Sequence, residues 1–270
     1  MPHPILLEVR DGLARLTLNR PERLNAFNAD LAAAFTAAAL EATSLNDVGA
    51  ILIDASGPSF CAGGDVIDMA TQMRTGAELH ALAQVINTGL SALVTSSVPV
   101  VAAAHGTTAG GGLGVLLSSD YAVIGHNSRV GSLYANIGLT PDLSVTAHLT
   151  RAVGERRALQ LVLQDRLLSA EEALDWGLVA EVVAAEGAVD GAVVADAVRA
   201  RAEEVARFWL ANAHGAYGQA KRLIRSAAER TFAEQLDEEA RTIGAVFDTA
   251  DARARVAAFA EASRRKQVAP

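Results

Sequence analysis

Two runs of small residues in this chain carry the pattern of a site that holds a charged oxygen. Ser59-Phe60-Cys61-Ala62-Gly63-Gly64-Asp65 follows the apolar run Ala50-Ile51-Leu52-Ile53. His105-Gly106-Thr107-Thr108-Ala109-Gly110-Gly111-Gly112 follows Val98-Pro99-Val100-Val101-Ala102-Ala103-Ala104. Each reads as a strand, a turn of small residues and the start of a helix. Such turns leave backbone N–H groups unpaired, and the helix dipole adds positive potential at the same place. Two of them converging on one point make an oxyanion hole.

The elements that must position these loops are legible from patterning. Ile5-Leu6-Leu7-Glu8-Val9 and Leu13-Ala14-Arg15-Leu16-Thr17-Leu18 predict a hairpin turning at Asp11-Gly12. Asn28 or Asp30 caps an Ala-rich helix running to about position 43. A strand over 49–53 leads into the first loop, and a helix over 76–95 separates the loops. A short helix follows the second loop, and Tyr121-Ala122-Val123-Ile124 is a further strand. This alternation predicts an α/β core. Further on, helices are predicted over 155–163 and 169–176, the second with a Ser169/Glu172 capping box and a stop at Gly177. The last strand falls within 178–183, and from about Asp190 the chain reads as helix. The domain boundary is set near 200, giving a core over 1–200 and a helical region over 201–270.

Composition excludes several functions. Hydrophobic residues make up 51% of the 270 and charged residues 20%, enough for a large core. The formal charge of −8 argues against nucleic acid or an anionic membrane as partner. A single cysteine, Cys61, rules out a disulfide framework or a cysteine metal cluster and fits a reducing cytoplasm. The start Met1-Pro2-His3-Pro4 lacks a signal-peptide pattern, and no apolar run reaches the roughly 18–20 residues needed to span a bilayer.

Each conspicuous residue also has a plain structural reading. Gly110-Gly111-Gly112 can be a tight helix entry. A dinucleotide fingerprint fits Gly110 and Gly112 but fails at Val115. Cys61 reads as small packing, with no base suggested beside it, and His105 as structural. His126, His148 and His214 show no metal-ligand spacing. Asp68, Glu78 and Glu155 read as solvated helix charges.

The chain resembles the crotonase superfamily, the enoyl-CoA hydratase/isomerase group. The resemblance rests on Leu18-Asn19-Arg20-Pro21-Glu22-Arg23-Leu24-Asn25-Ala26, Phe60-Cys61-Ala62-Gly63-Gly64-Asp65 and Gly106 through Gly112. It continues in Ile137-Gly138-Leu139-Thr140-Pro141-Asp142, Val153-Gly154-Glu155-Arg156-Arg157-Ala158 and Ala173-Leu174-Asp175-Trp176-Gly177-Leu178-Val179. The stretches run in family order and cover most of the chain. The resemblance implies a spiral of strand-strand-helix (ββα) repeats with a helical C-terminal part, trimers or hexamers, and acyl-CoA thioesters as ligands. It implies that the N–H groups of Gly64 and Gly111 hold the thioester oxygen, each such donor being worth about 10²–10³ in rate. It also implies that Arg23, Leu24, Ala62, Asp65 and Val66 lie near coenzyme A, and that Lys221 reaches its nucleotide phosphates, in its own or a neighbouring subunit. Enolate chemistry of this kind calls for no metal or redox cofactor; coenzyme A arrives with the substrate.

The chain departs from the family's hydratases at both water-activating glutamates. Gly114 stands at the first position and Tyr134 at the second. Glycine has no side chain, and a phenol with a pKa near 10 is a poor base. Tyr134 can instead line the acyl pocket or orient a water. Asp142 follows Pro141 where some isomerases of the family carry a catalytic acid. It is read either as a proton shuttle or as the N-cap of a helix starting near Leu143. The expectation is an isomerase moving the double bond of a 3-enoyl-CoA through an enolate. The alternatives are a hydratase with atypical water activation and an acyl-CoA-binding protein without catalysis; dehalogenation and thioester hydrolysis stand behind these.

Overall fold

The computed structural model describes residues 3–184 and 191–268. The chain opens with the hairpin β1 (Ile5–Arg10) and β2 (Leu13–Leu18), antiparallel across Asp11 and Gly12. Both turn residues have positive φ, 50° and 79°, the geometry that Asp-Gly supplies in two-residue hairpins. Asn28 caps α1 (Ala29–Ser44) by accepting from the Leu31 N–H, and β3 (Ala50–Ala55) then lies parallel to β2. Next come α2 (Val66–Gln72), α3 (Gly76–Thr95), β4 (Val100–Ala104), β5 (Thr107–Ala109), α4 (Gly111–Ser118), β6 (Tyr121–Gly125) and β7 (Arg129–Gly131). They are followed by α5 (Val145–Gln164), β8 (Leu167–Ser169), α6 (Ala170–Asp175), β9 (Glu181–Val183) and four helices, α7 (Gly191–Ala211), α8 (His214–Ser226), α9 (Phe232–Phe247) and α10 (Ala250–Val268).

The strands form a six-stranded sheet in the order β1-β2-β3-β4-β6-β9 and a three-stranded sheet β5-β7-β8. The chain places a strand in the large sheet, a second in the small one, and then a helix: β4-β5-α4, then β6-β7-α5. That is the ββα spiral. The large sheet is covered on both faces, so β3 is buried along its whole length. Ile51, Ile53, Ala102 and Ala104 pack with Phe35, Leu90 and Leu113 on one side. Leu52, Val101, Ala103 and Val123 pack under Val194, Val198 and Ala202 of α7 on the other. The period-two alternation of a strand sorts neighbouring residues to these two faces.

Several sequence expectations shift. The boundary near 200 falls inside α7, whose apolar side covers the large sheet; α7 therefore belongs to the core, and the outlying helices are α8 to α10. The helix expected over 155–163 is the second half of α5, which breaks at Gly154 (φ 77°, ψ 160°). The last strand is shorter than its 178–183 window, and the second glycine loop contains a strand of its own, β5. The Ser169/Glu172 capping box is present, with Gly177 at φ 75° two residues past α6. Among the described residues no helix is long and apolar enough to cross a membrane.

Candidate active site

The two glycine loops are stitched together by backbone hydrogen bonds. Cys61 N–H donates to Thr107 O (3.2 Å) and Ala109 N–H to Cys61 O (2.9 Å). On the other flank Phe27 N–H donates to Gly63 O (2.7 Å) and Asp65 N–H to Phe27 O (2.8 Å). This parallel bridge leaves the N–H of Gly64 itself pointing away from Phe27. Gly111 is the first residue of α4, where an N–H has no partner within its own helix. Neither the Gly64 nor the Gly111 N–H finds an acceptor among the described residues. Both glycines line one cavity of ≈ 290 Å³.

Asn25 anchors the first loop. Its buried side chain donates to Ser56 O and Ser59 O, both at 2.9 Å, and accepts from Arg20 N–H. Asp65 caps α2 through the Asp68 N–H and takes Arg20 (3.3 Å) and Arg23 (2.7 Å) as ion-pair partners. Its carboxylate is thus committed to holding the loop, and the arginines keep it ionised against the opposing effect of burial. Ala62 N–H donates to Leu24 O. The structure therefore gathers Arg23, Leu24, Ala62, Asp65 and Val66 at the N-terminal end of α2, around the loop whose Gly64 lines the cavity. Lys221 lies elsewhere: its ammonium is buried and donates to Leu93 O and Val98 O beside Asp120. The expected reach to phosphate is corrected, since its three donors face three internal acceptors.

Asp142 and Tyr134 meet at the cavity wall. The Tyr134 hydroxyl donates to Asp142 Oδ1 at 2.6 Å. Burial pushes the Asp142 pKa up, and the tyrosine hydrogen bond pulls partly back. Burial and the neighbouring carboxylate push Tyr134 up as well, so the phenol keeps its proton. Asp142 is not the N-cap: α5 begins at Val145, and the capping position is held by Ser144, whose side chain makes no cap bond. Leu143 and Ser144 are both left-handed, at φ 48° and 70°. Non-glycine residues there cost about 1 kcal/mol or more each. Burial of Leu143 and a 3.1 Å contact between the Ser144 and Ser118 hydroxyls hold the turn.

That turn explains Gly114. A Cβ at position 114 would collide with the Leu143 carbonyl oxygen. Gly114→Glu is therefore expected to cost about 1–3 kcal/mol through overpacking and to confer no hydration. Thermal denaturation and crotonyl-CoA hydration check the two halves of this statement.

The rest of the cavity is apolar and comes from α3. Leu79, Leu82, Ala83 and Ile86 lie at helical spacing and face inward with Phe27 and Met69. His80 reaches the rim, its Nε2 3.3 Å from the Gln84 amide. The sequence offers the helical stretch 76–94 as a wall of the acyl pocket but places none of these side chains, although the 79/82/83/86 periodicity marks the face. Cys61 is fully buried and its thiol is pushed up to about 12 by desolvation, leaving it inert. Among the described residues no three His, Cys, Asp or Glu side chains gather as metal ligands.

A ββα spiral with two free N–H groups at the mouth of an apolar cavity defines a crotonase-type enzyme. Residues 8–267 match the enoyl-CoA hydratase/isomerase family, and the chain belongs to it. It is 34% identical over 260 residues to a protein of Rhodobacter capsulatus named "Probable enoyl-CoA hydratase", covering 96% of this chain and 95% of the relative. It is 31% identical over 257 residues to the 1,2-epoxyphenylacetyl-CoA isomerase of Escherichia coli, covering 94% of each. Among solved structures, an enoyl-CoA hydratase of Mycobacterium smegmatis superposes with a TM-score of 0.84 at 25% identity, covering 96% of each chain.

Proposed function

We propose that this enzyme moves the double bond of a 3-enoyl-CoA into conjugation with the thioester. The observation that carries the reading is that Asp142 is the one carboxylate among the residues lining the cavity. The thioester oxygen sits between the N–H groups of Gly64 and Gly111. Asp142, with Oδ1 held by Tyr134, uses Oδ2 to take a proton from C2. The electrons pass into the carbonyl, giving a dienolate whose oxygen the two N–H groups stabilise. The same carboxyl returns the proton at C4, and the double bond settles between C2 and C3. One carboxylate that takes the proton from C2 and returns it at C4 suffices, and it ends the cycle ionised as it began. Hydration would need a second group to activate water, and Gly114 and Tyr134 supply none. The rim at Arg23, Leu24, Ala62 and Val66 takes coenzyme A. Exposed Phe232, Ile243 and Phe259 on α9 and α10 support assembly into a trimer or hexamer.

The test is turnover of a 3-enoyl-CoA, followed as appearance of the conjugated 2-enoyl-CoA, beside crotonyl-CoA hydration. Isomerisation that outruns hydration supports the reading; robust hydration without isomerisation sinks it. The hydrogen bond from Tyr134 makes a further prediction. It favours the ionised form of Asp142, so Tyr134→Phe raises the pKa of the base. Activity requires the carboxylate and falls as pH drops through that pKa. The acid limb of the kcat/KM profile is therefore expected at higher pH in the variant, with the alkaline side little changed.

A further inference from the structure

The cavity ends at a partition, and a second space lies behind it. Met69, Gly76, Leu79 and Leu139 line the cavity on one side. On the other they line a groove of ≈ 510 Å³ that continues between Val66 and Ala70 of α2, Met73 just past its end, and Ile137 across from them. Met69 is the part of the partition nearest the chemistry. Its terminal methyl packs so closely on Gly64 that a Cβ there would push it aside. It rides on a helix of seven residues, none of them buried. A methionine side chain, unbranched and with three rotatable bonds, changes course at little cost.

We propose that Met69 is a specificity gate: it swings aside to join cavity and groove into one channel, and the groove receives the far end of an alkyl chain too long for the cavity. The substrate class is then a medium- to long-chain acyl thioester. The inference rests on the acyl-CoA reading of the site but not on the isomerisation step.

The chemistry of the walls favours an alkyl tail over the pantetheine arm of coenzyme A. That arm carries two amides, each costly to desolvate without a partner. The groove offers mainly aliphatic and thioether side chains, with Arg74 and Thr75 at its edge. The rim assigned to coenzyme A lies at the N-terminal end of α2, where Asp65 meets Arg23. Met73 to Thr75 lie at the other end, about 10 Å away along a seven-residue helix. Ile137 and Leu139 are 52% and 36% exposed, apolar surface that a bound tail would cover.

Calorimetric titration with saturated acyl-CoAs from butyryl to dodecanoyl tests this without any turnover. In the wild type, affinity is expected to keep rising beyond hexanoyl, by up to about fourfold per methylene buried. Ile137→Trp fills the groove, and the ratio of the dodecanoyl to the butyryl Kd is expected to rise about 30-fold, the worth of two to three methylenes. Met69→Ala is expected to speed association of dodecanoyl-CoA. A gain that stops at hexanoyl, a Kd ratio unmoved by Ile137→Trp, or an association rate unmoved by Met69→Ala overturns the proposal. Equal weakening of butyryl-CoA, dodecanoyl-CoA and free coenzyme A by Ile137→Trp also overturns it, assigning the groove to the pantetheine arm. Failure of every acyl-CoA to bind, butyryl included, brings down the acyl-CoA reading itself; short-chain binding with no gain in length brings down the gate alone.

Discussion

Asp142→Ala is expected to lower kcat for 3-enoyl-CoA isomerisation by about 10²–10⁴, the usual worth of a positioned base, while acyl-CoA affinity stays within a few-fold. The asymmetry follows from position. In the proposed mechanism Asp142 faces the reacting carbons, whereas the proposed coenzyme A rim is built around Arg23 and the first glycine loop. Asp142→Asn separates charge from shape: it keeps an acceptor for the Tyr134 hydroxyl and loses only the basic oxygen. Both variants should therefore fail alike if proton transfer is the role. Single-turnover kinetics and a binding titration on the same samples decide it. Hydration surviving in Asp142→Ala at the wild-type rate would refute a single-carboxylate mechanism. A wild type that binds acyl-CoA and turns over none of them would mark a binding protein.

Lys221→Met carries the largest expected effect on stability. Methionine keeps the length of the side chain and removes a cation 3.0 Å from Asp120 Oδ2. It also strips the donors from Leu93 O at 2.6 Å and Val98 O at 2.7 Å. Breaking a buried pair from one side typically costs 3–5 kcal/mol. Arg225 still neutralises Asp120 from 3.1 Å, so the lower end, about 3 kcal/mol, is expected. The measurement is the denaturant midpoint, with acyl-CoA affinity of the folded variant as control. Unchanged stability with a tenfold loss of affinity would return Lys221 to the phosphate role that sequence reasoning gave it.

That misplacement shows where the sequence stops informing. The hairpin, the caps at Asn28 and Ser169 and the two glycine loops were legible because each is decided within a few residues. Asp-Gly turns, capping boxes and small-residue turns carry their own geometry. Asp142 was legible as a lone carboxylate, but not as the partner of Tyr134, since that contact needs the intervening loop to fold back, and the left-handed Leu143-Ser144 turn beside it was equally hidden. Nothing in those two residue types signals positive φ. Lys221 and Asp120 lie a hundred residues apart, and only the packing of α8 against the end of α3 and the loop that leads into β4 joins them. The apolar face of α3 was visible as periodicity, but periodicity cannot tell a core face from a pocket face. Met69 had no signal at all: its importance is that it touches Gly64.

The proposed oxyanion donors have a property that no side-chain catalyst shares. Both are main-chain groups, held by the loops that the Phe27–Gly64 and Cys61–Thr108 bridges join. No point substitution deletes a peptide N–H except proline; others act only by crowding or by bending those loops. Over evolutionary time the part of the site that bears charge is sheltered from drift. The proposed base and gate each hang on one codon, and the apolar wall on a few. Divergence of reaction and substrate in a scaffold like this one is therefore expected to run through positions such as 69, 114, 134 and 142, around a hole that stays put.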